Sequence, residues 1–573
     1  MSLFNHVGGI VPRKSLHKLD YSKTFTCDMG KLIPIMCDEV VPGDVFDIGN
    51  EAVIRFQPMV APMLHEVNAY VHYFFVPYRL LWSDWEKFIT GGEDGQFTAS
   101  IPSWTSSSDD VSSDSLWDYL GLPLVEGLKI NAFPKRAYKF IWNEYYRDEN
   151  LQNELNIEDD SDNTQILNRN WAKDYFTSSL PWQQRGIAPS LPIAGVAPVL
   201  SGTGTRVLSP NGNGGKYVNG NFHQTLTGYS IYSEDALGHI LPNPTAPSGT
   251  NYYQNSSINE AKAEKIPIFT LDSSIGSLTD KNRLVHVPSS TSGSEIAYAT
   301  DNITQTGSVN YVDGANFSSV NISDLRLAFQ IQKWLERNAR GGARYTEELR
   351  SHFGVAPRDE RLQRPEYIGG SKSSIIVSEV LQTSATDNVS PQGNLAGHGL
   401  AADFSHVGRY RATEYGLIMG LLSVMPKLSY NSQGINRQWL RQTKYDYYWP
   451  EFANLSEQAI YESEIYATVD NNSHIFSGEL VSSDFFGYQG RYDEMRIKHD
   501  MVCGEMRNTF SYWTMARNFE SAPALNSDFV TCNPTKRIFA VENVDGLIVH
   551  FGNRIRALRP IPIQSEPGLI DHN

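Results

Sequence analysis

Cysteine is scarce in this 573-residue chain: Cys27, Cys37, Cys503 and Cys532 are all it has, and no two form a C-x-x-C pair. Their number and spacing exclude a disulfide framework or zinc ribbon and predict free thiols in a reducing compartment. Long apolar runs are also missing. The longest nearly continuous one, YGLIMGLLSVM from Tyr415, has 11 residues, whereas a membrane-spanning helix needs about 20. The opening residues, MSLFNHVGGIVPRKSLHKLD, carry no apolar core of a secretory signal. Folding in cytoplasm without membrane insertion is the expectation. Triplets such as Asn302-Ile303-Thr304 and Asn454-Leu455-Ser456 then read as chance matches to glycan acceptors. Positive charge is in deficit, with 64 Asp and Glu against 48 Lys and Arg for a net −16. That excludes a protein coated with nucleic-acid-binding charge but leaves room for one basic face.

Signatures of catalysis are missing as well. Arg340-Gly341-Gly342-Ala343-Arg344 lacks the Lys-Ser/Thr of a phosphate loop, and Gly215-Lys216 has Tyr217 where the hydroxyl belongs. No G-x-S-x-G elbow occurs, and His65-Glu66 has no second His at zincin spacing. Asp160-Ser161-Asp162 lacks the Gly and distal Glu of a calcium loop. His398, Asp403 and His406 match no standard metal spacing and read as loop or core residues. No catalytic residue, metal ligand or cofactor is therefore assigned.

The residues that are present point to β structure. Aromatics make up 12% of the chain and favour pleated, half-buried surfaces. In VNAYVHYFFVP, Val67, Ala69, Val71, Tyr73 and Phe75 alternate with Asn68, Tyr70, His72 and Phe74, the period-two pattern of a long strand. Ser83-Asp84-Trp85-Glu86 then reads as a capping box opening a helix to about Ile89, stopped by Gly91-Gly92. Seven acids between Asp148 and Asp162 read as a solvated loop. Strands return in SSIIVSEV, in the run from Tyr415 and in RIFAVENVDGLIVHF, where Asp545-Gly546 signals a hairpin. Strands at both ends of the chain, separated by long excursions, predict a sandwich closed by distant segments.

Length alone suggests about two to four domains, or one large fold with long insertions. Three stretches emerge. Residues 1–197 hold a basic arm, the first strands and helical excursions. Residues 198–320 are rich in Gly, Ser, Thr and Asn, with only 15 charged residues in 123, and read as a semi-independent β and loop insertion with strands in YSIYSEDALGHI and RLVHV. Residues 321–573 return to helices, then strands and a basic tail. SDLRLAFQIQKWLERNAR predicts a helix behind Ser323. A second helix follows, N-capped by Thr346, with Glu347 and Glu348 in its first turn and Gly354 closing it.

Charge is distributed unevenly. Arg326–Arg364 holds nine Lys and Arg against five acids, Met1–Lys23 four against one, and Lys536–Arg559 five against two. Basic ends on an acidic protein predict an inner face that meets polyanion, with Arg13, Lys14, Lys18, Arg554, Arg556 and Arg559 as candidate nucleic-acid contacts. In the middle segment, Arg340, Arg344, Arg358, Arg361 and Arg364 are candidate interface residues that pair with acids such as Asp359, Glu360 and Glu366.

A set of longer motifs sharpens this reading. FNHVGG with the following SLHKLDYS, PGDVF from Pro42, YFFVPYRLLWSDWEKF from Tyr73 and WNEYYRDEN from Trp142 belong to it. DYFTSSLPWQQRG from Asp174, ARGGARYTEELRSHFGV from Ala339, RLQRPEYIGG from Arg361 and FGYQGRYDEMR from Phe486 complete it. In this order, over Met1–Pro192 and Ser323 to about Pro562, the chain resembles the major capsid proteins of microviruses, specifically the gokushovirus branch. The resemblance implies an eight-stranded antiparallel jelly roll of viral capsid type with long loop and helical insertions. It further implies self-assembly of about 60 copies into a T=1 shell around circular single-stranded DNA. The implied partners are minor virion proteins and, through the insertion as a threefold protrusion, a host bacterial surface receptor. The competing reading is a non-enzymatic carbohydrate- or receptor-binding β-sandwich that forms no shell.

Overall fold

The computed structural model describes residues 13–162, 165–187, 322–342, 344–381, 395–455 and 457–563, together with the strands between 199 and 313. Two compact units divide the chain: Met1–Gly186 with Trp334–Asn573, and Ile187–Lys333.

The first unit is built on eight antiparallel strands. They are β1 Tyr21–Cys27, β2 Ile33–Val40, β3 Val45–Phe56, β4 Val67–Pro77, β5 Glu366–Leu381, β6 Leu395–Arg411, β7 Gly416–Pro426 and β8 Leu547–Arg559. One layer runs β1-β8-β3-β6 and the other β2-β7-β4-β5. The long strand β5 pairs with β4 along its first half and β6 along its second, which joins the layers at one edge. This is an eight-stranded antiparallel jelly roll, the fold that the resemblance to microvirus capsid proteins implies. A short arm strand, Ser15–Lys18, continues β1 along β8 in the same register, the ladder being interrupted at Leu19-Asp20, where the Ile555 N–H donates to Asp20 Oδ1 at 2.8 Å.

Strand β3 shows why the sandwich forms. Phe46, Ile48, Asn50, Ala52, Ile54 and Phe56 are buried while the residues between them face outward, the alternation that pleating imposes. Opposite lies the inner face of β4, and the buried Tyr73 hydroxyl donates across the core to Asn553 Oδ1 at 3.2 Å. Asn553 in turn donates to the Ile35 carbonyl at 2.9 Å, so this polar side chain of β8 is satisfied twice from the opposite layer, by β4 and by β2. Strand β7, the apolar run from Tyr415, is buried on both faces. A Cβ on its Gly420 would sit 2.7 Å from the Tyr73 ring, so only glycine lets that ring close the core.

Four local readings change. The first concerns the acidic run at 148–162, which is more than a solvated loop. It wraps three buried cations of helix α1, Phe133–Ile141. Lys135 and Lys139 are 1% and 0% exposed. Asp162 binds both, at 3.0 and 2.6 Å, while the Asp160 carboxylate grips Arg136 through Nη2 at 2.5 Å and Nε at 2.8 Å. Backbone carbonyls of Asn156, Asp159 and Asp160 accept the remaining lysine protons.

The second and third concern helix starts. The helix Trp85–Thr90 forms and ends at Gly91 (φ 83°), but its cap is Asp84 at φ −91°, ψ 5°, and Ser83 does not cap it. Helix α2, Ile322–Gly341, is followed by α3, Tyr345–Phe353, whose cap is Arg344 rather than Thr346. Arg344 is extended, its N–H donates to Glu347 at 3.2 Å, and the Thr346 hydroxyl instead accepts from Arg364. Gly342 (φ 98°) makes the break between the helices and Gly354 (φ 70°) ends the second, as the sequence suggests.

The fourth is the expected hairpin at Asp545-Gly546, which does not form. Both edges of β8 are already taken by β1 and β3. Upstream, Arg537 donates to the carbonyls of Ser511, Thr514 and Ala516 and Lys536 pairs with Asp28 at 2.7 Å, tying that segment to loops.

The second unit holds a four-stranded antiparallel sheet ordered Tyr252–Gln254, Lys265–Thr270, Ile303–Asp313, Val199–Leu208. The strands that come first and last in sequence, Val199–Leu208 and Ile303–Asp313, pair with each other, the geometry of a segment that leaves and returns at one place. Short strands at Tyr232–Glu234 with Ile240–Pro242, and at Val285–Val287 with Glu295–Ala297, match the expected YSIYSEDALGHI and RLVHV segments. The Gly/Asn-rich stretch 209–231 lies outside the described residues.

One pH effect follows from β4. Burial, aided by Arg169, lowers the His72 pKa to about 4. The unfolded chain takes up this proton below about 6.5, so His72 withdraws roughly 3 kcal/mol of stability as pH falls from 6.5 through 4. Asp38, pushed up to about 6 by burial, acts with the opposite sign between its ordinary value and 6. Denaturant titrations at pH 7 and 4.5 should therefore show a smaller acid loss for His72→Gln than for the parent; equal losses would remove His72 as the cause.

A basic sheet face as candidate nucleic-acid interface

Residues directly opposed across antiparallel strands project to the same side. The outer face of the layer β1-β8-β3-β6 can therefore be read row by row. One row runs Lys18, Arg556, Asp47, Arg409, from the arm strand through β8 and β3 to β6. The next runs Leu16, Leu558, Val45, Arg411. Further along the face stand Arg554, Glu51 and Arg55. This face thus carries six cations and two carboxylates on a chain whose net charge is −16.

The two carboxylates are occupied. Asp47 binds His406 at 2.6 Å and Glu51 pairs with Arg554. Lys18, Arg55, Arg409, Arg411 and Arg556 have no ion pair among the described residues. Lys18 and Arg556 stand directly opposite each other, an arrangement that costs stability unless an anion lies between or above them. A row of unpaired guanidinium and ammonium groups on a sheet surface binds phosphates without reading base sequence.

The six candidates from the sequence separate into two groups. Arg13, Lys18 and Arg556 are exposed and unpaired among the described residues. Arg554 is exposed but paired with Glu51. Lys14 donates to the Gly43 carbonyl, and Arg559 is tied to the buried Asp44 at 3.0 Å beside the Phe46 ring. Arg55, Arg409 and Arg411 were not singled out from the sequence. Alternation in VFDIGNEAVIRF marks Arg55 as outward, but only the strand register puts the three beside Arg556.

The five interface candidates also divide. Arg340 pairs with buried Glu457, and Arg344 pairs with Glu149 at 3.1 Å and donates to the carbonyls of Asn143 and Arg147 at 3.0 Å each. Arg364 binds Asp359 at 2.6 Å and lies over the Tyr145 ring. These three hold the chain's own turns together. Arg358 and Arg361 are exposed, with no ion pair among the described residues.

No helix among the described residues is long and apolar enough to cross a membrane. The family described as capsid protein (F protein) matches residues 6–569. Capsid protein VP1 of Chlamydia phage 1 is 35% identical, over 99% of this chain and 97% of the relative. Capsid protein VP1 of Bdellovibrio phage phiMH2K is 32% identical over 95% and 92%, and that of Spiroplasma virus 4 is 30% identical over 98% and 96%. The chain therefore belongs to the capsid protein (F protein) family of microviruses, a structural family and not an enzymatic one.

Proposed function

We propose that this chain is the repeating unit of a T=1 icosahedral shell of about 60 copies that encloses a circular single-stranded DNA genome. Copies assemble in the host cytoplasm with minor virion proteins, and the basic sheet face lies against the packaged strand. The observation that carries this reading is the set of five unpaired cations on one face of an acidic protein. A second feature supports assembly. Trp439, Tyr445, Tyr447, Tyr448 and Trp449 crowd one stretch of short turns and are each about half exposed or more. A protein that stayed single would leave that aromatic surface in water. Arg358 and Arg361, unpaired within the chain, serve contacts between copies. The 198–320 insertion forms the threefold protrusion and meets the host surface receptor.

Electron microscopy and light scattering of the full chain, alone and with the phage's other proteins, test the shell. Closed particles that protect single-stranded DNA from nuclease are expected; a small oligomer under every condition would favour the sandwich that forms no shell. Deleting most of 198–320 should leave particles intact and abolish adsorption to host cells. A deleted particle that adsorbs normally removes the attachment role.

A further inference from the structure

The other layer carries a cavity that the basic face does not explain. On the side of β4 away from the core, Tyr70, His72 and Phe74 alternate outward, and Tyr367 of β5 joins them. The π-helical turn Trp142–Tyr146 and the segment 169–173 complete a cavity of about 550 Å³. That volume lies in the range of small-molecule sites.

Arg169 is among the residues that line it. The guanidinium lies 4.5 Å from the Tyr70 ring centroid and 5.7 Å from that of Tyr146. Its one side-chain hydrogen bond goes to the Ser423 hydroxyl, at 3.1 Å. No carboxylate pairs with it among the described residues. The neighbouring cations differ: Arg364 is neutralised by Asp359 and Lys173 by Asp148. The backbone that carries Arg169 is fixed on both sides, with its N–H on the Gly30 carbonyl and its carbonyl accepting from Cys532, each at 2.8 Å. Beside it the Tyr367 ring is about half exposed.

An uncompensated guanidinium on a fixed backbone, packed on Tyr70 and beside the half-exposed Tyr367 ring, fits a ligand that has both a planar ring and an anionic group. We propose that this cavity takes one nucleotide of a single-stranded DNA, its base stacked on the Tyr70–Arg169–Tyr367 surface and its phosphate on Arg169. Base–aromatic stacking tolerates any sequence, which suits a genome rather than a single site. The assignment rests on the reading that the chain meets single-stranded DNA, and it adds a base-holding site to the phosphate-holding face.

The test uses the full chain purified free of DNA, with a thymidine trinucleotide and an abasic trinucleotide of equal charge as probes. The base-bearing probe should bind about tenfold more tightly. Arg169→Gln and Tyr70→Ala should each erase that preference, and Arg169→Lys should keep most of it. Equal binding of the two probes, or a preference that survives Arg169→Gln, overturns the proposal. So does a short peptide with a C-terminal aromatic residue that displaces the trinucleotide at lower concentration, since a protein segment would then be the better occupant. Particles that hold DNA while the trinucleotide fails to bind would remove this pocket alone; particles without DNA would remove the broader reading.

Discussion

Replacing Asp162 by Ala should destabilise the jelly-roll unit more than any single surface change, by on the order of 3–5 kcal/mol. This one carboxylate is the shared ion-pair partner of two ammonium groups, Lys135 and Lys139, that water hardly reaches. Both lie on α1 with Arg136, and α1 has no acid in its first turn to meet the positive end of its dipole. Burial already pulls the Lys139 pKa down against the support of Asp162. Without that support Lys139 is pushed further toward its neutral form unless water is drawn into the core. The measurable results are a lower denaturant midpoint and poor soluble yield. A triple change, Lys135→Met/Lys139→Met/Asp162→Leu, should recover most of the loss, because well-packed apolar groups replace a buried ionic cluster at little cost. An Asp162→Ala protein that unfolds at the parental midpoint would show that the backbone carbonyls suffice.

On the functional side, the largest effect is expected from Lys18→Gln/Arg409→Gln/Arg556→Gln. If each cation meets one phosphate of a single strand, the slope of log K against log salt should become shallower by about 2. At 0.1 M salt that corresponds to roughly hundredfold weaker binding of a long oligonucleotide. Stability should hold or rise slightly, because the Lys18–Arg556 repulsion is relieved. Arg559→Gln should behave in the reverse way. It leaves Asp44, 0% exposed, without its partner, so folding suffers while the salt slope stays the same. A triple variant with the parental slope would move the DNA contact away from this face.

These two expectations differ in how far the sequence alone could have led to them. Alternation in β3 and β4, the Gly breaks at 342 and 354, and the basic ends of the chain are local patterns. Pleating and left-handed turns leave such patterns directly in residue order. The acidic run at 148–162 was misleading because charge density reads as solvation until a neighbour is known. Its partners on α1 lie about twenty residues away in sequence, on a helix whose burial is a tertiary fact. Asp545-Gly546 misled for a related reason. A turn dipeptide makes a hairpin only where an edge is free, and β8 has none.

Residue order by itself determined that this is a β-rich chain with two basic ends, a polar insertion and a run of motifs that resembles microvirus capsid proteins. The tertiary structure decided which cations are free. Arg559, Arg554 and Lys14 looked equivalent to Lys18 and Arg556 in sequence, yet three found partners within the chain and two did not. Strand register decided that Arg55, Arg409 and Arg411 share their face, and the turn after α1 decided that Tyr70, Tyr146 and Arg169 line one cavity. Charge and aromaticity belong to residues one at a time, whereas a binding surface depends on which of them are left unpaired and side by side, and only the folded chain settles that.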